Sequence, residues 1–158
     1  MMQLNKGRRF LTIVSAVIFS VLIGCTILFP GPSVSESLSG SVAIKGYDPV
    51  AYFKAGKAVK GDKENSFQWR GANWHFASRE NRDAFAASPE QYAPQYGGYC
   101  AWAMASGRKA HTDPEVWKIV NGKLYLNCSR EAFRKWEADI PGNILKADEY
   151  WRKLADKN

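Results

Sequence analysis

Trp69-Arg70-Gly71-Ala72-Asn73-Trp74-His75-Phe76-Ala77-Ser78 reads as a β-hairpin running into a helix cap. Residues 66–70 and 73–77 alternate in the manner of strands, and Gly71-Ala72 joins them. Period two places Trp74 and Phe76 on one face, and Asn73, His75 and Ala77 on the other. Ser78 is a strong N-cap for a helix over residues 79–87, with Phe85 on its buried side. On the N-terminal side, Val42-Ala43-Ile44 predicts a short first strand and residues 61–65 a polar loop. Between them, Asp48-Pro49 predicts a helix start, with Val50, Tyr52 and Phe53 buried and an end near Gly56.

Toward the C-terminus, Ser88-Pro89-Glu90 caps and begins a further turn that carries Tyr92, and Pro94 interrupts it. Gly97-Gly98 precede a helix starting about Cys100 and stopping at Gly107. Asp113-Pro114-Glu115 repeats the cap-plus-proline signature. Residues 116–120 and 123–127 flank Asn121-Gly122, a strong short hairpin signal. Ser129 caps a helix through Ala138, Pro141-Gly142 turns the chain, and residues 144–155 form a last amphipathic helix. No internal repeat is evident. The expected fold is α+β: a small single domain with two antiparallel β-hairpins and several short helices, preceded by an N-terminal membrane segment.

That segment follows Lys6, Arg8 and Arg9 and runs uncharged over residues 10–29 before Pro30. Twenty such residues reach across a hydrocarbon core of about 30 Å. The preceding cations orient the N-terminus to the cytoplasm and the remainder outside it. Leu22-Ile23-Gly24-Cys25 also reads as a lipobox, so an uncleaved anchor, a lipoprotein acylated at Cys25 and a cleaved signal peptide stand as three readings. All of them make the rest extracytoplasmic, on the periplasmic side of a cell membrane. The organisation is then residues 1–30 as membrane anchor or lipoprotein-type signal, 31–41 as a Ser/Gly-rich tether, and 42–158 as the globular domain.

The three cations of residues 1–30 account for nearly half of the formal +7, leaving +4 for the exported part. No run of like charges marks a nucleic-acid arm. All six tryptophans lie beyond the tether, which predicts an aromatic core.

Chemistry concentrates at Tyr96-Gly97-Gly98-Tyr99-Cys100-Ala101-Trp102-Ala103-Met104. A thiol beside a helix N-terminus is favoured as thiolate, and a spacing of four brings the Met104 thioether to the same helix face. Two soft sulfur donors suit copper in its reduced form, and His111 is the third candidate ligand of a metal site Cys100, Met104, His111. His75 is a weaker candidate. Cys100 and Cys128 are the cysteines of the exported part, and a disulfide between them would consume the thiol.

Asp48-Pro49-Val50, the stretch 69–78, Phe85 and Ser88-Pro89-Glu90-Gln91-Tyr92 together resemble the YHS domain over roughly residues 46–93. The remainder, with Gly97-Gly98-Tyr99-Cys100-Ala101, is similar to a stand-alone exported subgroup of these proteins. The resemblance implies a small module related to the metal-binding TRASH domains. It also implies cysteines near Asp-Pro-Val and before the cap serine, where this chain has Ala51 and Ala77. Three functions follow from these residues. The first is soft-metal handling, with copper as the cofactor. The second is a non-catalytic interaction domain for an envelope protein partner. The third, a thiol enzyme with Cys100, His111 and Asp113, is disfavoured because Asp113 is more simply a cap.

Overall fold

The computed structural model describes residues 42–155. The proposed anchor, the tether and Cys25 lie outside the described residues. Among those described, no helix is long and apolar enough to cross a membrane.

Among the described residues the first element is a one-turn 3-10 segment, Ala43–Gly46, followed by α1 (Ala51–Lys54). The first hairpin pairs β1 (Asp62–Trp69) with β2 (Ala72–Phe76), and α2 (Arg79–Ala87) and α3 (Pro89–Tyr92) follow. A second 3-10 segment, Gln95–Gly98, leads into α4 (Ala101–Ala105). The second hairpin pairs β3 (Asp113–Val120) with β4 (Lys123–Asn127), and α5 (Arg130–Glu137) and α6 (Ile140–Ala155) close the fold. The α+β class with two antiparallel hairpins is as expected from the sequence.

Of the three predicted serine caps, those at Ser78 and Ser129 are made, whereas the Ser88 side chain makes no capping hydrogen bond at α3. Ser78 accepts from the Asn81 N–H at 3.2 Å and Ser129 from the Ala132 N–H at 3.1 Å.

Other details differ. Val42 is extended and bridges Asn73, but from Ala43 the chain forms a turn rather than a strand, because Ile44 and Lys45 adopt φ of 40° and 54°. Residues 62–65 are strand, not loop. Asp113 starts β3 instead of capping a helix, its Oδ1 accepting the Glu115 N–H at 3.0 Å. Pro141-Gly142 belong to the first turn of α6, where proline lacks only an N–H that has no partner there anyway, and Asp139 accepts the Gly142 N–H.

The architecture is an internal repeat, which the sequence reading missed. Ladder partners Asp62/Phe76, Gln68/Asn73 and Trp69/Ala72 recur as Asp113/Asn127, Ile119/Leu124 and Val120/Lys123, each displaced by 51 positions. The irregularity in the ladder recurs as well, between Asp62 and Ser66 and between Asp113 and Trp117. Asp62 accepts the Glu64 N–H just as Asp113 accepts that of Glu115. The two 3-10 segments match with a displacement of 52: φ is 40°, 54° and 77° at Ile44, Lys45 and Gly46, and 58°, 60° and 83° at Tyr96, Gly97 and Gly98. A left-handed residue other than glycine costs roughly 1–2 kcal/mol. Its recurrence in both halves marks the turn as a property of the fold, not strain reserved for one site.

The halves share their core. One buried cluster joins Val50, Tyr52, Trp74, Phe76 and Phe85 of the first unit to Leu124 and Leu126 of the second. The other collects Tyr96, Tyr99, Met104, Tyr125, Trp136 and Ala147. Residues on both faces of β4 are buried, with Leu124 and Leu126 in one cluster and Tyr125 in the other, which explains its nearly continuous apolar run. Tyr52 crosses the boundary: its hydroxyl donates to the Pro114 carbonyl at 3.0 Å and its ring meets Trp117 edge-on.

Candidate functional site

In each unit the residue after the glycine–tyrosine pair is the anchor of the turn: Asp48 after Gly46-Tyr47, and Cys100 after Gly98-Tyr99. Both are fully buried. Asp48 Oδ1 accepts the N–H of Val50 at 2.8 Å and of Ala51 at 3.2 Å. Its Oδ2 accepts the Ala77 N–H at 2.9 Å and the Asn81 amide at 2.7 Å. This carboxylate therefore ties the start of α1 to the junction of β2 and α2.

Cys100 does the same with sulfur. Its Sγ accepts the Cys128 N–H at 3.2 Å, the counterpart of Ala77, and a hydrogen bond from the Ala103 backbone, the counterpart of Ala51. The counterpart of the Val50 N–H is that of Trp102, which donates instead to Asn127 Oδ1 at 3.1 Å. Asn127 is itself fully buried in the place of Phe76, and the Cys100 thiol contacts the same Oδ1 at 3.7 Å. The Asn127 Nδ2 is buried with no hydrogen-bond partner.

The sequence expectation of an activated thiolate is corrected by this environment. Desolvation outweighs the backbone N–H groups and lifts the Cys100 thiol from 9.0 to about 11, with the adjacent Cys128 thiol adding to the rise. At neutral pH this leaves about a hundredfold less thiolate than an ordinary cysteine would have. Cys128 is exposed. Iodoacetamide near neutral pH is therefore expected to label Cys128 quickly and Cys100 slowly, with Cys100 labelling climbing as pH approaches 11. Peptide mapping checks this, and equal labelling of the two would refute the buried, protonated Cys100.

Of the residues chosen from sequence, the structure brings Cys100 to Cys128. Both are free thiols. Cys100 packs with Ala103 and Ala132, whereas Met104 packs among Tyr96, Tyr99, Tyr125 and Trp136. His111 is exposed, in the segment between α4 and β3. Among the described residues, no three His, Cys, Asp or Glu side chains gather as a metal-holding group. Sequence reasoning overlooked Asn127, and took Cys128 only as a disulfide partner. The repeated Ser-Arg-Glu at 78–80 and 129–131 was the signal that would have aligned Cys128 with Ala77.

A cavity of about 190 Å³ opens between the units, walled by Trp69, Trp74, Tyr96 and Trp151 and bordered by the Arg70–Glu90 ion pair. Its walls carry no cysteine or histidine, so it is separate from the sulfur pair.

No curated protein and no solved structure matches the chain. The family model of the YHS domain matches residues 50–96, that is, most of the first unit and the beginning of the second. The family is associated with metal binding. By that match the protein carries a YHS domain and is a YHS-domain-containing protein.

Proposed function

We propose that this protein is a membrane-tethered, extracytoplasmic YHS module that binds a soft metal ion, copper in its reduced form, and takes part in metal handling. Residues 10–29 supply the tether on this reading, supported by their uncharged length and the cations before them. One observation carries the metal reading: a buried cysteine, Cys100, is fixed by backbone N–H groups with a second cysteine beside it. Hydrogen bonds to sulfur favour its anionic form once a metal displaces the proton. A d10 ion that accepts few, soft ligands fits such a place, while zinc would want four.

The test is a Cu(I) titration of the full chain in detergent, against a competing chelator, beside Cys100→Ser. About one equivalent is expected for the parent and none for the variant. Metal-free parent protein would refute the reading. It would leave an interaction domain of the envelope as the better account of the scaffold.

A further inference from the structure

We infer that Cys128 is the second protein ligand, so that the metal is held between the sulfurs of Cys100 and Cys128 in the second unit. This rests on the soft-metal reading above and names the site within it. Three observations carry it. The sulfur of Cys100 lies 3.2 Å from the Cys128 backbone nitrogen, so the two cysteines meet at one joint. Cys100 is sealed from solvent while Cys128 is exposed, which gives an ion a way in through Cys128. The third is the Asn127 Nδ2, a fully buried donor left without an acceptor on the residue preceding Cys128, where phenylalanine stands in the first unit. An unmet buried donor is expensive to keep. The Cys100 sulfur faces the Asn127 Oδ1 at 3.7 Å, so the acceptor for this donor comes from a further ligand arriving on the metal.

The chemistry is ligand exchange without oxidation. Each thiol loses its proton to solvent as its sulfur takes the ion, so one Cu(I) and two thiols give a two-coordinate bis-thiolate and two protons. The first unit cannot do this, because Asp48 and Ala77 stand at the equivalent positions. Duplication has thus left one unit with a structural carboxylate and the other with a pair of sulfurs at the same joint.

The experiment uses the full chain in a Cys25→Ser background, which removes the thiol of the N-terminal segment. Cu(I) affinity and the near-ultraviolet thiolate-to-metal absorbance are compared for the parent, Cys100→Ser, Cys128→Ser, Met104→Leu and His111→Ala, with near-ultraviolet circular dichroism reporting the fold. Cys128→Ser is expected to fold normally and to lose more than roughly a hundredfold in affinity, beyond the cost of an outer partner. It should also lose the charge-transfer band. Met104→Leu and His111→Ala are expected to stay within a few-fold of the parent. Binding lost in Cys100→Ser but kept in Cys128→Ser would overturn this inference and leave the metal reading standing, as would loss in His111→Ala. A parent that takes up no Cu(I) would overturn both.

Discussion

Asp48→Ala is expected to cost about 3 kcal/mol or more of folding stability, a large part of what a domain of this size holds. The carboxylate is fully buried and faces donors from four residues, Val50, Ala51, Ala77 and Asn81. Alanine orphans all of them at once. Each buried donor left unmet costs about 1–3 kcal/mol, although losses within one network do not simply add. The geometry also matters for topology, since one carboxylate fastens the entry of α1 to the β2–α2 junction across some thirty residues of chain. Asp48→Asn keeps one acceptor oxygen and should fall between alanine and the parent. Arg70→Ala is the contrasting case: its ion pair with Glu90 is 32% and 72% exposed, so removing it should cost less than about 1 kcal/mol. Urea unfolding followed by tryptophan fluorescence measures all three. A midpoint for Asp48→Ala close to that of Arg70→Ala would show that the carboxylate is not the fastening described.

Much of this fold is legible without coordinates, and the illegible parts have physical causes. The alternation in residues 73–77, the Asn121-Gly122 turn and the caps at Ser78 and Ser129 are local signals, and each formed where local chemistry predicted. The strand expectation is met at Val42 and fails at Ala43-Ile44 because β-branched Ile44 favours strand, whereas the fold demands a left-handed turn that repeats at Tyr96. The duplication hid because the halves share geometry more than residues. Phe85 is replaced by Trp136, Trp74 by Tyr125 and Phe76 by Asn127, and each exchange keeps the position buried while changing its letter. Where letters persist, as in Gly46-Tyr47 and Gly98-Tyr99, the run is too short to stand out. The metal candidates illustrate the same limit. Cys100 and Met104 invite pairing at helical spacing, but Cys100 sits at the cap and its sulfur turns to the β4–α5 junction. Cys128 is 28 positions away, with an entire hairpin between, and only the ladder brings it close.

Cys100→Asp should retain the fold and abolish Cu(I) binding, and this pairing of outcomes follows from the duplication. The first unit shows that a carboxylate at this joint is accommodated, with the Ala51 and Ala77 N–H groups as donors. The second unit offers the equivalent donors, from Ala103 and Cys128. Ala132 stands where Asn81 stands in the first unit, which lessens crowding around a longer side chain. The Asn127 Oδ1 faces the Cys100 sulfur, so a carboxylate there gains the buried Nδ2 as a donor only when the amide turns over and releases the Trp102 N–H. These gains offset the loss of a well-packed thiol, and stability should remain within about 1.5 kcal/mol of the parent, the scale of one hydrogen bond. The metal has no such compensation, because a hard oxygen is a poor ligand for Cu(I), and affinity should fall by more than roughly a hundredfold. Cys100→Leu, which fills the volume but accepts no hydrogen bond, should instead lose about 1–3 kcal/mol along with the metal. Chelator competition and urea unfolding on the same samples separate the two effects. If Cys100→Asp proves as unstable as Cys100→Leu, the joint in the second unit is not built to hold an anion, and the equivalence of Asp48 with Cys100 fails. If Cys100→Asp instead folds and still binds one equivalent, the ion is held elsewhere, and the sulfur pair loses its claim.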